Sequence, residues 1–439
     1  MTERRYRTIL GAIAAGALAV RLAWVGWASR EPSSFFLDPS RYLGYAQQIA
    51  DGKGMVEGFT GDPTAYYPPG YPWFLGIVVW ASEPFTDRVW VAAGVVQAVL
   101  GAATVLLAAR IARRLSGPVA GLLAAGIMAL YPNLIFHTGV LLGETLYNLL
   151  FLAFLALLVG RGWTQSFGWW RLLGCGVLLG LAVMVRPISL AVIPVVAVAF
   201  LWSRKDWGVA LRWTAVLCVG VAACIVPWTV RNAVRLDAFV LISTNTGDNL
   251  CIGHADGATG AFTPLESCRV PYPFTDGLSA ELKADKAKQR IARQGFVDNL
   301  DREPWLLWRR VYFVWIRDGD HDALFAAQAY RQDRWMAIPT EARLIWVADR
   351  AYWLVVAAGM VGMVQLARRR QPEAFVLVGS ALVTAAVPLL FFGDSRFKVP
   401  VIPLLIIAAA CLVRRPDPAD VPGGADAEPV QASEPVTEA

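Results

Sequence analysis

The stretch VWVAAGVVQAVLGAATVLLAARIARR, residues 89–114, decides the fold. It indicates that the chain lies in a membrane and in which direction it crosses. Residues 89–109 carry no charged side chain, and about 20 such apolar residues in a helix cross the hydrocarbon core of a bilayer. The run ends on Arg110, Arg113 and Arg114, and basic clusters of this kind stay on the cytoplasmic side. We therefore predict a transmembrane helix that runs inward.

Similar apolar runs recur along the chain. The 439 residues are 56% hydrophobic and only 17% charged, which is more apolar surface than one water-soluble core could bury. About ten runs are predicted to span the membrane, at about residues 9–28, 89–109, 117–136, 142–159, 172–185, 188–202, 209–226, 344–366, 375–392 and 399–413. The basic clusters between them place the N-terminus in the cytoplasm. The predicted fold class is an all-α polytopic membrane protein.

These runs divide the chain into parts with different predicted environments. The parts are an N-terminal transmembrane module (1–230) with a first outer loop (29–88, the first loop), an extracytoplasmic segment (231–343, the long segment), C-terminal transmembrane helices (344–415) and a disordered cytoplasmic tail (416–439). Helices beside the membrane are predicted at 70–80, a short apolar segment, at 280–299, a charged surface helix, and at 305–315, where interleaved Trp, Arg and Tyr residues suit an interface.

The net charge and the positions of the cysteines limit the classes of function that the chain can have. The net charge of +6 comes from clusters that suit a topology signal, so a nucleic-acid partner is not expected. Four of the six cysteines lie inside apolar runs, where a small buried hydrophobe is the simplest role. Cys251 and Cys268 lie together in the long segment, and the sequence leaves a disulfide and two free thiols equally open.

Two carboxylates lie at predicted outer helix ends. Asp38 follows the first span in LDPSRYLGYAQQIADGKG, and Glu144 opens the span at 142–159 in GVLLGETLYN. Carboxylates at a membrane boundary are uncommon and mark functional sites. Each also has a structural alternative, because Asp38 can cap the helix that begins near Ser40 and Glu144 can pair with an arginine of another helix.

Positive charge should be scarce on the outer side of the membrane. The sequence nevertheless places basic residues at several outer helix ends, namely Arg186 in VRP, Arg231 with Asn232 in PWTVRN, and Arg396 with Lys398 in DSRFKVP. A single arginine there usually extends toward lipid headgroups. Several such residues on the same side indicate an anionic ligand.

Aromatic residues and a histidine accompany these charges. The segment YYPPGYP, residues 66–72, predicts a rigid turn lined with rings, which suits either sugar stacking or anchoring at the membrane interface. His137 falls close to Glu144, where a substrate contact and a hydrogen-bonded interfacial histidine are both open. His137, His254 and His321 have no metal-ligand spacing, and no glycine-rich phosphate loop is present, so no cofactor is expected. A divalent ion near Asp38 would lack a complete ligand set.

These segments together resemble the integral-membrane glycosyltransferases of the GT-C fold, specifically bacterial relatives of the protein O-mannosyltransferases and lipid A aminoarabinose transferases. The resemblance covers most of the chain. It rests on Asp38 with Tyr42 or Tyr45 and residues 52–54, followed by TAYYPPGYPWFL, GETLYNLLF, VRP, PWTVRN and RFKVPVIPLL. Each motif alone is weak, and the combination in this order is specific.

The resemblance implies transfer of a sugar from a polyprenyl-phosphate donor to an acceptor on the extracytoplasmic face, with the first-loop aspartate as base. That role falls on Asp38. Many relatives carry two adjacent acidic residues, whereas Pro39 follows Asp38 here, so Glu144 is the second candidate catalytic residue. The other candidates are Arg186, Arg231, Arg396 and Lys398 for the donor phosphate, and Tyr42, Tyr67, Tyr71, Asn232 and His137 for the substrates.

The predicted chemistry needs a carboxylate that takes the acceptor's proton and cations that hold the departing phosphate. One base without a nucleophilic carboxylate favours a single displacement with inversion. The predicted sugar is a hexose such as mannose, the acceptor is a protein, a lipid or a glycan, and the location is a bacterial cell membrane. The alternatives are a lipid-linked oligosaccharide polymerase or ligase, and a transporter, which should show internal repeats and charged helices at mid-membrane.

Overall fold

A computed structural model describes residues 1–32, 38–58, 60–160, 163, 166–270, 278–319, 324 and 335–413. All regular elements within these residues are helices. The α-helices in the first half are α1 Glu3–Ala28, α2 Asp38–Ala50, α3 Gly70–Ser82, α4 Val89–Ser116, α5 Pro118–Leu130, α6 Pro132–Phe136, α7 Glu144–Leu158 and α8 Trp169–Val185. Those in the second half are α9 Val192–Arg204, α10 Trp207–Arg235, α11 Thr246–His254, α12 Leu278–Asp298, α13 Glu303–Trp315, α14 Ile338–Arg368, α15 Pro372–Ala386 and α16 Ile402–Ala410.

Among the described helices, six are long and apolar enough to cross a membrane. They begin at Glu3, Val89, Pro187, Trp207, Ile338 and Pro372, and the bent pair α5 and α6 makes a seventh if it is one span. The class of a multi-pass helical membrane protein is therefore confirmed. The predicted number of about ten has looser support, because helices such as α7, α8 and α16 are apolar but shorter than 18 residues.

Gly117 and Pro118 fold the chain between two of these helices. Gly117 ends α4 with a φ of 90°, a left-handed conformation that glycine adopts without steric cost. Pro118 then begins α5, where the first turn does not need its missing amide donor. Helices α4 and α5 consequently pack side by side, with Gly121 close to the hydroxyl of Tyr6 on α1.

Arg21 explains how the chain can break between α5 and α6. The two helices meet at an angle of 60° ahead of Pro132, which leaves carbonyl groups at the end of α5 without helical donors. The buried guanidinium of Arg21 donates to the carbonyls of Met128 at 3.1 Å and Ala129 at 3.0 Å. An arginine in the middle of a predicted span therefore acts as a helix cap.

In its described residues, the long segment contains the three whole α-helices α11, α12 and α13, and one disulfide. Cys251 of α11 is bonded to Cys268, so the structure realises the pairing that the sequence left open. Helices α12 and α13 occur where a charged helix and a Trp-rich helix were predicted. Helix α10 continues through Pro227 to Arg235, beyond the span predicted to end near 226. The predicted tail, 416–439, lies outside the described residues.

Replacing Arg21 by Met should lower the thermal stability of the purified protein in detergent. The change leaves two end-of-helix carbonyls without donors, and each buried unsatisfied polar group costs about 1–3 kcal/mol. Val20→Ala is the matched control, because Val20 lies next to Arg21 on α1 and is exposed. An unfolding midpoint of the Arg21→Met variant equal to that of the control would contradict the capping role.

Candidate active site

Glu144 lies at the centre of a cluster of charged residues. It is fully buried at the start of α7, and its Oε1 atom accepts hydrogen bonds from two arginines. Arg186 donates through Nη2 and Arg396 through Nε. The arginine side chains keep 17% and 21% of their surface exposed, so one face of each guanidinium stays accessible while Glu144 lies beneath them.

Arg396 also links Glu144 to Asp38. Its Nη1 atom donates to Oδ2 of Asp38, and the hydroxyl of Tyr67 donates to Oδ1 of Asp38 at 2.5 Å. Asp38 lies in the first turn of α2, and 34% of its side chain is exposed. The site therefore contains a buried carboxylate, two partly exposed cations and a second carboxylate that an incoming molecule can reach.

Local sequence fixes the backbone on which both arginines lie. Arg186 ends α8 in an extended conformation, because the following Pro187 disfavours the helical region for the residue before it. Asp394 caps the short turn Ser395–Lys398, and its side chain accepts from the amide of Arg396 at 2.8 Å. The long segment supports this turn, because the amide of Gly393 donates to the carbonyl of Gly260 at 2.7 Å.

The electrostatics keep Arg396 charged and Tyr67 neutral. Burial opposes the charge of Arg396, but Glu144 and Asp38 outweigh it and hold the pKa of the guanidinium well above its usual value. Burial, with the Asp38 charge as the next cause, raises the pKa of Tyr67 well above its ordinary value of 10.0. Tyr67 therefore remains a hydrogen-bond donor to Asp38 throughout the neutral pH range.

Three predicted tyrosines form an aromatic wall beside Asp38. The ring of Tyr42 lies 4.8 Å from that of Tyr67 and 5.0 Å from that of Tyr71. The hydroxyl of Tyr71 donates to Gln97 of α4 at 3.0 Å. All three rings are buried, so they fix the position of the first loop against α3 and α4 as well as lining the site.

His137 lies buried just before α7. Its Nδ1 atom is 2.8 Å from the carbonyl oxygen of Asn133, which requires the proton on Nδ1 if that contact is a hydrogen bond. Within the part of the chain that the structure describes, Nε2 of His137 and Oε2 of Glu144 have no hydrogen-bond partner. Two buried acceptors are thus available to a hydroxyl group or a water molecule.

Three other predicted residues lie outside this cluster. Arg231 donates to the carbonyls of Met55 at 2.8 Å and Thr64 at 2.9 Å, which joins α10 to the first loop. The neighbouring Asn232 donates to the carbonyl of Val240 at 3.0 Å. Lys398 is fully buried and pairs with the equally buried Asp318 at 3.1 Å. The structure thus unites Asp38, Glu144, Arg186 and Arg396, and places these three residues elsewhere.

No motif in the sequence indicated the contacts that hold the first loop against the long segment. Residues 64–67, which we name the tyrosine strap, lie next to α11 and α12. Glu281 of α12 accepts from the hydroxyl of Thr64 and the amide of Ala65, and Asp248 of α11 accepts from the hydroxyl of Tyr66 at 3.1 Å. These contacts join segments that are distant in sequence, so only the structure shows that Glu281 and Asp248 bind the first loop.

No group of three or more His, Cys, Asp or Glu side chains suited to a metal ion occurs among the residues placed by the structure. The site offers two carboxylates, two guanidiniums, the Tyr67 phenol and the His137 imidazole. The carboxylates can accept a proton, and the guanidiniums can bind a phosphate.

Comparison with known proteins matches residues 67–230 to the family described as dolichyl-phosphate-mannose-protein mannosyltransferase. That range includes Tyr67, Glu144 and Arg186 of the site. No curated protein sequence matches the chain. The family match supports the resemblance to membrane glycosyltransferases that the motifs indicated.

Solved structures resemble this chain at low sequence identity. The archaeal oligosaccharyltransferase AglB from Archaeoglobus fulgidus, in complex with an inhibitory peptide and a dolichol-phosphate, is 13% identical with a TM-score of 0.54, covering 93% of this chain and 50% of that one. Its apo form is 12% identical with a TM-score of 0.54, covering 94% and 50%. ArnT from Cupriavidus metallidurans bound to undecaprenyl phosphate is 14% identical with a TM-score of 0.42, covering 93% and 78%.

The likeness to AglB establishes the fold of this chain as the GT-C type. The chain spans about half the length of that oligosaccharyltransferase. The all-helical GT-C fold class predicted from the motifs is thereby confirmed.

Replacing Glu144 by Gln should destabilise the protein strongly, because it leaves two guanidiniums beside a neutral amide. Removing one partner of a buried ion pair typically costs about 3–5 kcal/mol. Glu3→Gln is a matched control, because Glu3 also pairs with two arginines, Arg7 at 3.0 Å and Arg113 at 2.6 Å, but on the surface. Thermal unfolding in detergent should show a large shift for Glu144→Gln and little for the control. Equal shifts would contradict the central role of Glu144.

The stability contributed by Glu281 should depend on pH. Burial raises the pKa of Glu281 above its ordinary value of 4.5, so the folded state favours the protonated acid. This contribution is fully present below about pH 4.5 and is lost as the pH rises through the raised pKa. The unfolding midpoint of Glu281→Gln, relative to that of the wild type, should therefore increase between about pH 4.5 and neutrality. A constant difference would show that Glu281 has the same pKa in both states.

Proposed function

We propose that this protein is a glycosyltransferase that moves a sugar, a hexose such as mannose, from a polyprenyl-phosphate donor to an acceptor. The arrangement of Arg396 carries the proposal, because it joins the accessible carboxylate of Asp38 to the buried carboxylate of Glu144. This places a candidate proton acceptor and two partly exposed guanidiniums at one site. Transfer from a phosphate-linked sugar requires these two functions side by side.

In the proposed step, Asp38 accepts the proton of an acceptor hydroxyl as that oxygen attacks the anomeric carbon. The bond between the anomeric carbon and the phosphate oxygen breaks, and the phosphate leaves with the electron pair. Arg186 and Arg396 stabilise the charge that develops on the leaving phosphate, since arginine binds phosphate with two parallel hydrogen bonds. A single displacement of this kind inverts the configuration at the anomeric carbon.

Glu144 supports this step by orienting the two arginines. It is fully buried and contacts both guanidiniums, so it can orient them without contacting the sugar. Tyr67 donates to Asp38 and thereby directs the other lone pairs of the carboxylate toward an acceptor. Tyr42, Tyr71 and His137 are proposed to contact the substrates at the edge of the same site.

Two findings support a lipid-linked donor. The family that matches residues 67–230 is described by a dolichyl-phosphate-mannose substrate, and the similar AglB structure contains a dolichol-phosphate. A donor that arrives within the membrane also explains why the site lies at the ends of apolar helices. We propose that these ends face the outside of a bacterial cell membrane, where an oxidising environment would preserve the Cys251–Cys268 disulfide.

The fold likeness to an oligosaccharyltransferase favours one further candidate function. AglB shares the fold over 93% of this chain, so a donor that carries an oligosaccharide is the alternative to one that carries a single sugar. The same site residues would serve both donors. A direct comparison of the two donors therefore decides between these functions.

The test measures transfer of label from radiolabelled polyprenyl-phosphate mannose, and from a labelled lipid-linked oligosaccharide, in membranes that contain the protein. Asp38→Asn should reduce transfer by about 10²–10⁴-fold, which is the usual contribution of a general base. Asp51→Asn is the matched control, because Asp51 is an exposed first-loop aspartate that pairs only with Lys53 in the described structure. The level of each variant is checked by blotting.

Transfer by the wild type and Asp51→Asn, but not by Asp38→Asn, would support the proposed enzyme and its base. Undiminished transfer by Asp38→Asn would remove Asp38 from the reaction. Transfer from the oligosaccharide donor alone would support the second candidate. Movement of the labelled lipid across the membrane without transfer from either donor would favour a transporter instead.

A further inference from the structure

Glu281 is a buried carboxylate that joins two distant parts of the chain. It lies on α12 of the long segment and accepts three hydrogen bonds. Two donors belong to the first loop, the hydroxyl of Thr64 at 2.7 Å and the amide of Ala65 at 3.2 Å. The third is the hydroxyl of Thr244 in the long segment.

No salt bridge stabilises this carboxylate in the described part of the chain. Burying a carboxylate without a cation is costly, and hydrogen bonds from neutral donors only partly offset the cost. All three donors are neutral groups. We therefore explain the presence of Glu281 by the geometry that it imposes on its hydrogen-bond donors, rather than by a contribution to stability.

The geometry that Glu281 imposes extends to Asp38. Thr64 and Ala65 form the first half of the tyrosine strap, and Tyr67 at its other end donates to Asp38 at 2.5 Å. The long segment also contacts the strap through the amide of Thr244, which donates to the carbonyl of Ala65 at 2.9 Å. Both polar groups of the Ala65 backbone are thus bound by the long segment, two residues before Tyr67.

We propose that Glu281 is a positioning residue for Asp38, acting through the tyrosine strap. This inference rests on the proposed function of Asp38 as the base. Glu281 fixes the strap so that Tyr67 holds the Asp38 carboxylate in the orientation needed to accept a proton. Displacement of a reacting group by about 1 Å can cost about 10²-fold in rate, so loss of this support affects turnover even when the fold persists.

The role depends on acceptor atoms rather than on negative charge. In Glu281→Gln, the amide oxygen can still accept from Ala65 and Thr244, and the amide nitrogen can donate to the Thr64 hydroxyl. In Glu281→Ala, all three donors lose their partner. The glutamine variant should therefore behave like the wild type, whereas the alanine variant should not.

Asp285 provides a matched control one turn further along α12. It is half-buried and accepts from the amide of Gly247 at 2.6 Å and from Gln289 at 2.7 Å. Both partners belong to the long segment. Asp285→Ala thus removes a comparable number of hydrogen bonds from the same helix without removing a contact of the first loop.

The experiment compares the wild-type protein with Glu281→Ala, Glu281→Gln and Asp285→Ala. Hydrogen–deuterium exchange in detergent follows residues 55–67, and donor kinetics follow transfer from the polyprenyl-phosphate sugar. We expect Glu281→Ala to lower kcat by about 10–100-fold, to leave the KM of the donor within about twofold, and to speed exchange in the strap. Glu281→Gln and Asp285→Ala should keep both properties of the wild type.

Several results would overturn the proposal. Unchanged exchange in the strap of Glu281→Ala would show that Glu281 does not hold it. Equal losses of kcat in Glu281→Ala and Asp285→Ala would indicate general loosening of α12. Faster exchange with normal kcat would show that the strap is held but does not position the base. If the wild type transfers no sugar, the exchange data still decide the contact, and the failure belongs to the proposed function.

Discussion

The structure of the site depends on one constraint, which is that two guanidiniums share a single oxygen of a buried carboxylate. Glu144 has no surface exposed, so bulk water does not solvate its charge, and protein groups must neutralise it. Arg186 at the end of α8 and Arg396 in the turn after α15 supply that charge. Helices that are far apart in sequence therefore have to end at the same point. Asp38 joins the same cluster through Arg396 and draws α2 toward it.

The apolar runs and the motifs predicted much of this architecture. The all-helical class followed from the apolar runs, because a bilayer allows few other solutions. The predicted number of spans has looser support, since α7 and α8, which lie where spans were predicted, are apolar but shorter than 18 residues. The break between α5 and α6 was also missed, because a residue such as Tyr131 before a proline only weakens a helix and does not dictate an angle.

The predicted site residues fall into two groups. Asp38, Glu144, Arg186 and Arg396 come together, whereas Arg231 and Lys398 do not. A positive charge at a helix end shows that a partner is required, but the sequence does not say whether that partner is a ligand, a carbonyl or another side chain. Arg231 binds carbonyls of the first loop, and Lys398 binds Asp318. Glu281 was missed for the opposite reason, because a carboxylate on a highly charged helix normally faces water.

Arg21 has a consequence for the assembly of the helices in the membrane. Its guanidinium lies on the first helix, but the carbonyls that it binds belong to Met128 and Ala129, more than a hundred residues later. An arginine at the centre of a membrane helix costs about 2.5–3.5 kcal/mol to insert until it finds partners. Helix α1 therefore enters the membrane before α5, which supplies two of the three carbonyls that bind the guanidinium in the described structure. Early steps of assembly must tolerate this charge, and the arrival of α5 releases the chain from that unfavourable state.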